Sequence, residues 1–275
     1  MKNTRELKFE SPSFFQRLKG MLGVDFYRLF HTPMFYIFLA IAAIIPAMIL
    51  GMTGMENAEG GIDRLYDNTW QIIAADTPLY VVKDIAEYAN MNMLFIFGGI
   101  MVSIFIGHDY KSGYVKQLFT THAKKQDYMM SKTLVCAFAM ACMCITYLFG
   151  GVIAGALTQT SFAVNVGSLV SAILGKIVMS LGWASLYTFL NIIFRKYFGI
   201  SIASSFFFGT GILIIGAAAI IGNNSALNIF LYGSSVYACL SSDFFTVLIC
   251  LAVSVTWAII YNVLGTLILS KSDVY

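Results

Sequence analysis

The chain has 275 residues, of which 59% are hydrophobic and 11% are charged. An ordinary soluble domain has about 25% charged residues, so this composition excludes that class and predicts an integral membrane protein. The formal net charge of +3 says little by itself, because the side of the membrane on which Lys and Arg lie matters more than their sum. Nucleic acid is not expected as a partner.

Six apolar runs are long enough to cross about 30 Å of hydrocarbon as helices. They are residues 34–52, 91–107, 128–156, 167–194, 198–221 and 244–269. The expected fold is therefore an all-α integral membrane protein with six transmembrane helices in one domain, 1–275. The longest polar segments are the N-terminal stretch before residue 34 and the loop 53–90.

Basic residues are distributed unevenly among the segments between these runs. The N-terminal stretch has six Lys or Arg residues and the segment 107–132 has five, whereas the loop 53–90 has two against seven acidic residues. Because cytoplasmic loops carry an excess of Lys and Arg, both termini are predicted to lie in the cytoplasm and 53–90 outside the cell. The predicted location is thus the cell membrane, with several passes.

Residues 12–31 precede the first run and have the pattern of an amphipathic helix. Phe14 and Leu18 belong to an apolar face, while Asp25 and Arg28 fall among the polar residues on the other side. Such a helix lies in the membrane interface, with its apolar face in lipid and its basic face toward anionic headgroups. The alternative is a generic basic anchor with no further role.

A second amphipathic pattern lies in the segment 108–126, between the second and third runs. Tyr110, Tyr114 and Leu118 share one helical face, with Phe119 beside them, while Lys116 lies on the opposite face. The pattern predicts a short helix that another protein binds.

Two residues of this segment carry expectations of their own. Asp109 is expected near the start of the short helix, where the helix dipole favours an anion. Gly113 would weaken an isolated helix by about 1 kcal/mol relative to Ala, so it suggests the close approach of another backbone.

Two stretches resemble the type-2 ABC transporter permeases. "GVDFYRLFHTPMFYI" resembles the entry to that family's first span, and "DYKSGYVKQLF" followed by "SK" resembles its first cytoplasmic loop. The matching loop positions are Asp109, Gly113, Lys116, Leu118, Ser131 and Lys132. The chain departs from the family at "THAKKQ", where Pro and Arg are common. Among these proteins, it is most similar to the small permeases of bacitracin-resistance and lantibiotic-immunity systems.

The resemblance implies a type-2 ABC exporter fold and a permease subunit that moves an amphiphilic peptide, antibiotic or similar toxic compound outward. In the family, the first cytoplasmic loop is a coupling helix that docks on the ATPase. Here that role would fall to Asp109, Tyr110, Gly113, Tyr114, Lys116, Leu118 and Phe119.

The same resemblance implies the partners. These are two separate ATPase subunits that hold ATP and Mg, and a second copy of the permease or a related permease. The chain itself is expected to have no cofactor and no enzymatic activity. Its nearest approach to a phosphate loop, "VSAILGKIV", lacks the first Gly and the Ser or Thr of that motif.

Two other functions are weaker alternatives. An ion-coupled secondary transporter usually needs acidic or His residues inside its spans, but Asp109 and Asp243 lie at span ends. An intramembrane enzyme would need a catalytic signature, and neither His-Glu-x-x-His nor Gly-x-Ser-x-Gly occurs. No metal site is expected. The five cysteines are interpreted as small buried hydrophobic residues.

Three features lie toward the predicted outer face. Lys176 is 19 residues before Arg195, about 28 Å along a helix, and is expected to snorkel to the outer surface. The alternative is an outer substrate exit that includes Tyr232. The segment 222–243 resembles a re-entrant helix, although a surface loop anchored by aromatic residues is possible. Gly151 and Gly155 are spaced for close helix contact.

Overall fold

The computed structural model describes residues 12–56, 62–64, 69–70, 93–120, 123–162, 166–211, 229–240 and 244–271. Most of the predicted outer loop 53–90, together with His122 and Asp243, lies outside these residues. The elements in chain order are α1 Phe14–His31, α2 Pro33–Thr53, β1 Gly54–Glu56, β2 Ile62–Arg64, α3 Met93–Lys111, α4 Tyr114–Thr120, α5 Lys125–Leu157, α6 Val166–Ile193, α7 Phe198–Gly209, α8 Leu231–Leu240 and α9 Phe244–Lys271. Apart from the antiparallel pair of β1 and β2, the regular elements of the described part are helices.

Helix α1 occupies the segment predicted to be an amphipathic helix. It begins with a capping box, in which the Ser13 side chain accepts from the Gln16 backbone and Gln16 bonds back to Ser13. The chain then bends by 65° into α2. The bend falls at Thr32, whose hydroxyl donates to the carbonyl of Arg28 at 2.7 Å, and Pro33 is the first residue of α2, a position that suits proline.

The predicted spans mostly match the helices. Helices α3, α5, α6 and α9 are each long and apolar enough to cross a membrane, and α2 is a fifth candidate span, which meets the same criterion when taken with α1 before the bend. The predicted run 198–221 differs, because α7 ends at Gly209 and Gly211 has a φ of 66°. Because a positive φ does not occur in a right-handed α-helix, this run is not one continuous helix. A side chain on Gly211 would also overlap the ring of Tyr232.

Helix α8 lies inside the segment predicted to be re-entrant. It has ten residues, and the first five are buried. The indole nitrogen of Trp183 on α6 donates to the Ser235 hydroxyl at 2.8 Å, and that of Trp257 on α9 donates to the Ile229 carbonyl at 2.8 Å. Because the start of α8 packs between α6 and α9, the surface-loop alternative is wrong for these residues.

Close contact between α2 and α5 depends on a glycine. A Cβ added at Gly150 would overlap the carbonyl oxygen of Ala43 and lie 2.7 Å from its carbonyl carbon. Gly150 thus approaches a backbone closely, and Gly155 of the predicted pair faces the Thr69 side chain. Both contacts lie within this chain.

The central core is built from buried residues of α2, α3, α5 and α6. Trp183 is 1% exposed and stacks on Phe95 and Tyr187, with ring centroids 5.6 Å and 5.5 Å away. The Tyr187 hydroxyl donates to the Phe95 carbonyl at 3.0 Å. Of the cysteines, Cys136, Cys144 and Cys250 are buried, as predicted, whereas Cys142 is half-buried.

Candidate functional site: a buried charge cluster beside helix α4

Four charged side chains from three helices meet where α1, the end of α3 and the start of α5 come together. They are Asp25 and Arg28 on α1, Asp109 in the last turn of α3, and Lys132 on α5. The side chains of Asp25, Asp109 and Lys132 are 0% exposed. We call these four residues the charge cluster, and the end of the molecule that contains it the α4 end.

Lys132 lies at the centre of the charge cluster. Its Nζ is 2.6 Å from Asp25 Oδ1 and 2.6 Å from Asp109 Oδ2. Arg28 pairs with Asp109 through the other carboxylate oxygen. The Ser131 hydroxyl donates to Asp25 Oδ2 at 2.6 Å. Two cations thus balance two anions, which is the condition under which buried charges are tolerated.

Aromatic rings surround the cations of the charge cluster. Nζ of Lys132 lies 4.8 Å from the Phe105 ring centroid and 5.5 Å from those of Tyr114 and Tyr128. The guanidinium carbon of Arg28 is 4.0 Å from the Tyr114 centroid. Cation–π attraction strengthens as water is excluded. Tyr114 on α4 therefore joins that helix to both cations.

The pKa values of two groups outside the spans fit this arrangement. Burial lowers the pKa of Arg28, but the attraction and hydrogen bond of Asp109 outweigh it, so the pKa is raised overall. Burial, followed by the charge of Asp25, raises the pKa of Tyr114. Because both shifts favour the protonated forms, Arg28 stays charged and Tyr114 stays neutral.

The structure changes how α1 was interpreted. Asp25 was predicted to face headgroups, but it is fully buried because Lys132 and Ser131 bind it. Leu18 is also buried, and Phe14 is half-buried. The polar face of α1 is therefore turned partly into the protein.

The segment around α4 also differs from its predicted form. Tyr110 belongs to α3, and α4 begins only at Tyr114, so no single helix joins them. Gly113 separates the helices with a φ of 74°, and nothing lies within 4 Å of a Cβ added there. Its backbone conformation, rather than a close approach, explains the glycine. Asp109 lies in the last turn of α3 instead of at the start of a helix, and Arg28 and Lys132 stabilise its charge.

The apolar face of α4 packs against its own chain. Val115 is 1% exposed, and the rings of Phe119 and Tyr128 are 5.6 Å apart. Leu118 is half-buried in the same cluster. The exposed residues of α4 and the turn before it are polar: Lys111, Ser112, Lys116, Gln117 and Thr120.

A groove of about 650 Å³ separates α1 from α4. Tyr114 and Leu118 line one side, and Arg17 and Met21 line the other. Arg17 Nε is 2.7 Å from Asp127 Oδ2, so a second ion pair joins α1 to α5. We call the polar face of α4 and this groove together the candidate docking surface.

The matched family agrees with this architecture. The profile described as ABC-2 family transporter protein matches residues 22–212, more than half of the chain. The chain belongs to the ABC-2 transporter family. It is the transmembrane subunit of an ABC transporter, with ATP hydrolysis on a separate subunit. The match includes the whole charge cluster and α4. No curated protein matches the chain.

The two residues proposed for an outer exit of the ABC-2 permease are both buried. Lys176 is 3% exposed, and its Nζ is 5.1 Å from the Tyr147 ring centroid. The expectation that it snorkels to the surface is wrong, because the aromatic ring on α5 holds it between helices. Tyr232 is 3% exposed and packs on Gly211.

The permease has a buried polar network that the sequence analysis missed. The Asn191 amide on α6 donates to the Ser103 hydroxyl on α3 at 3.1 Å, and Ser103 and Ser205 hydroxyls are 2.8 Å apart. Ser201 donates to the Asn191 side-chain oxygen. The network joins α3, α6 and α7. Asn191 inside an apolar run was the available signal. Among the described residues, no group of three or more His, Cys, Asp or Glu side chains could hold a metal ion.

Proposed function

We propose that the ATPase subunit binds to α4 and the neighbouring groove. The charge cluster would then transmit the movement of the ATPase subunit to the membrane-spanning helices. The observation that carries this proposal is the position of Tyr114. It belongs to α4, yet its ring lies 4.0 Å from the Arg28 guanidinium carbon and 5.5 Å from Lys132 Nζ. A displacement of α4 would therefore act on α1 and α5 together.

The proposed contacts divide the predicted coupling residues into two groups. Lys116 is exposed on α4, and Tyr114 and Leu118 line the groove, so these three can meet a partner. Asp109, Tyr110, Gly113 and Phe119 would instead hold α4 in place. The partner would meet a largely polar surface, and electrostatic complementarity rather than apolar burial would determine its orientation.

The remaining parts of the proposal follow from family membership and charge. The α4 end would face the cytoplasm, because it carries the basic segments. Two ATPase subunits, holding ATP and Mg, would bind below the permease and a second copy or a related permease. As the ATPase subunits close on ATP, a cavity between the two permease subunits would open alternately to the two sides of the membrane.

A charge placed on the exposed face of α4 should weaken ATPase binding. Gln117→Glu is expected to lower the ATPase-to-permease ratio after detergent extraction by about fivefold or more, since an unpaired polar group buried at an interface costs on the order of 1–3 kcal/mol. The matched control is Gln126→Glu, an exposed glutamine in the first turn of α5. Its ratio should equal that of the parent. Equal ratios for all three proteins would contradict docking on α4.

We further propose that the complex moves an amphiphilic peptide, antibiotic or similar toxic compound outward, as the resemblance to small resistance and immunity permeases implies. Cells that contain the permease and its ATPase should then tolerate more bacitracin than cells whose ATPase cannot hydrolyse ATP. The readout is the minimal inhibitory concentration. No difference across a panel of bacitracin and lantibiotics would contradict this choice of cargo, while leaving the docking prediction intact.

A further inference from the structure

A groove of about 530 Å³ lies between α5 and α9, two helices long enough to cross the membrane. We call it the α5–α9 groove. Leu134 of α5 and Ile259 and Val263 of α9 line it and are exposed, so the groove is open at the surface of the spans. Its volume falls within the range of about 300–1,000 Å³ that is usual for small-molecule sites.

The path of α9 across the molecule creates the α5–α9 groove. At the α4 end, α9 is held on α5, because Lys125 Nζ donates to the Leu269 carbonyl at 2.5 Å. Farther along, α9 is held on α6, where the Ser254 hydroxyl donates to the Val178 carbonyl at 2.8 Å. The two helices of the groove therefore meet at one end and separate toward the other.

The lining of the α5–α9 groove changes from polar to apolar along its length. Near the α4 end, the Thr133 hydroxyl donates to Asn262 Oδ1 at 3.1 Å, and the Thr266 hydroxyl donates to the Asn262 carbonyl at 2.8 Å. None of the described residues in the lining is charged. The lining residues farther from the α4 end are all apolar: Leu134, Leu181, Val255, Ala258 and Ile259.

Asn262 has hydrogen-bonding capacity left for a ligand. Its amide nitrogen carries two hydrogens, and it donates one to the Ala258 carbonyl at 2.8 Å. Within the described part of the chain, the second hydrogen has no acceptor. Asn262 is seven residues before Leu269, about 10 Å along the helix from the α4 end. A polar group at that depth is costly unless it has a partner, and a ligand carbonyl would supply one.

The length of the α5–α9 groove matches one leaflet of the bilayer. Its lining on α9 extends over residues 255–267, about 18 Å of helix, and half of the hydrocarbon core is about 15 Å thick. The polar part lies at the α4 end and the apolar part extends toward the middle of the membrane. This is the order of polarity in an amphiphile that stands in a leaflet with its head at the surface.

We propose that the α5–α9 groove binds an amphiphile with one acyl chain and a neutral amide head, and that cargo enters the permease there from the leaflet at the α4 end. The amide carbonyl accepts from Asn262, and the chain lies against the apolar residues beyond it. The absence of charge among the described lining residues favours a neutral head over a phosphate. The role in cargo entry rests on the proposed amphiphilic cargo, whereas the binding site itself does not.

Photolabelling of the purified permease in phosphatidylcholine nanodiscs tests the binding site. The probe is N-dodecanoylglycinamide with a diazirine in its chain, and mass spectrometry should locate the label around Leu134 and Val255. Ile259→Trp should lower the labelling by about tenfold or more, because the indole fills the groove. The matched control is Ile260→Trp, at an exposed residue outside the lining. It should label within about twofold of the parent.

A second probe separates recognition of the amide from partitioning into an apolar groove. With a hydrocarbon end in place of the amide, it should label about fivefold less, because it cannot accept from Asn262. Equal labelling by the two probes would overturn the site, as would equal labelling of the two tryptophan variants. If Ile259→Trp cannot be purified, Val255→Trp in the same lining should show the same loss. Full labelling of that variant would contradict the site.

ATP hydrolysis by the assembled complex distinguishes cargo entry from a bound lipid. The amide probe should raise the hydrolysis rate of the parent and Ile260→Trp complexes and leave the Ile259→Trp complex at its basal rate. A probe that labels the groove without changing the parent's hydrolysis would overturn the role in cargo entry. Failure to label, in cells that still show the predicted bacitracin tolerance, would reject the groove and keep the proposed cargo.

Discussion

Replacing Lys132 with methionine is expected to destabilise the permease by about 3–5 kcal/mol, the usual cost of breaking a buried ion pair by removing one partner. The substitution leaves Asp25 and Asp109 buried, with only Arg28 to balance two carboxylates. Arg28 Nη1 is 4.0 Å from Asp25, too far to replace the 2.6 Å contact of Lys132. The measurement is equilibrium unfolding in mixed detergent and SDS.

A control and a compensating variant make the Lys132 prediction specific. Lys116→Met, on the exposed face of α4, should change the unfolding free energy by no more than about 0.5 kcal/mol. Adding Asp25→Asn to Lys132→Met removes one charge of each sign and should restore much of the lost stability. If Lys132→Met is as stable as Lys116→Met, the charge cluster does not hold the α4 end together.

Gly150→Ala and Gly23→Ala are expected to change stability in opposite directions. At Gly150, the added methyl group overlaps the backbone of Ala43, so α2 and α5 must separate at a cost of about 1–3 kcal/mol. At Gly23, an exposed position of α1, nothing lies within 4 Å of the added carbon. There the loss of backbone freedom in the unfolded chain should stabilise the helix by about 0.5–1 kcal/mol.

The same unfolding titration measures both glycine variants. Since the two substitutions are chemically identical, any difference between them reports the surroundings of each glycine. A Gly150→Ala protein at least as stable as Gly23→Ala would contradict the close contact between α2 and α5.

The sequence predicted the long helices well because apolar length alone identifies a span. The start of α2 at Pro33 could also be inferred from the sequence, since proline suits the first position of a helix. The break at Gly211 could not be inferred from the sequence, because a glycine in an apolar run is compatible with a helix. The positive φ there leaves no room for a side chain beside Tyr232, which lies on a different element.

The candidate site was only half predictable. The resemblance identified Asp109 and Lys132 as related positions, but helical spacing shows only which residues share a face, not what covers that face. Asp25 therefore looked like a residue that faces headgroups, although Lys132, more than a hundred residues later, buries it. The prediction for Lys176 was wrong for the same reason, because the Tyr147 ring that packs against its amine belongs to another helix.

Photo-crosslinking from α4 tests the central claim most directly. Benzoylphenylalanine placed at Gln117 should capture the ATPase subunit on irradiation of the assembled complex, because Gln117 is exposed on the proposed docking surface. The same group at Phe138, an exposed position on the apolar part of α5, should capture no ATPase. An ATPase that co-purifies but crosslinks from position 138 and not from 117 would contradict docking on α4.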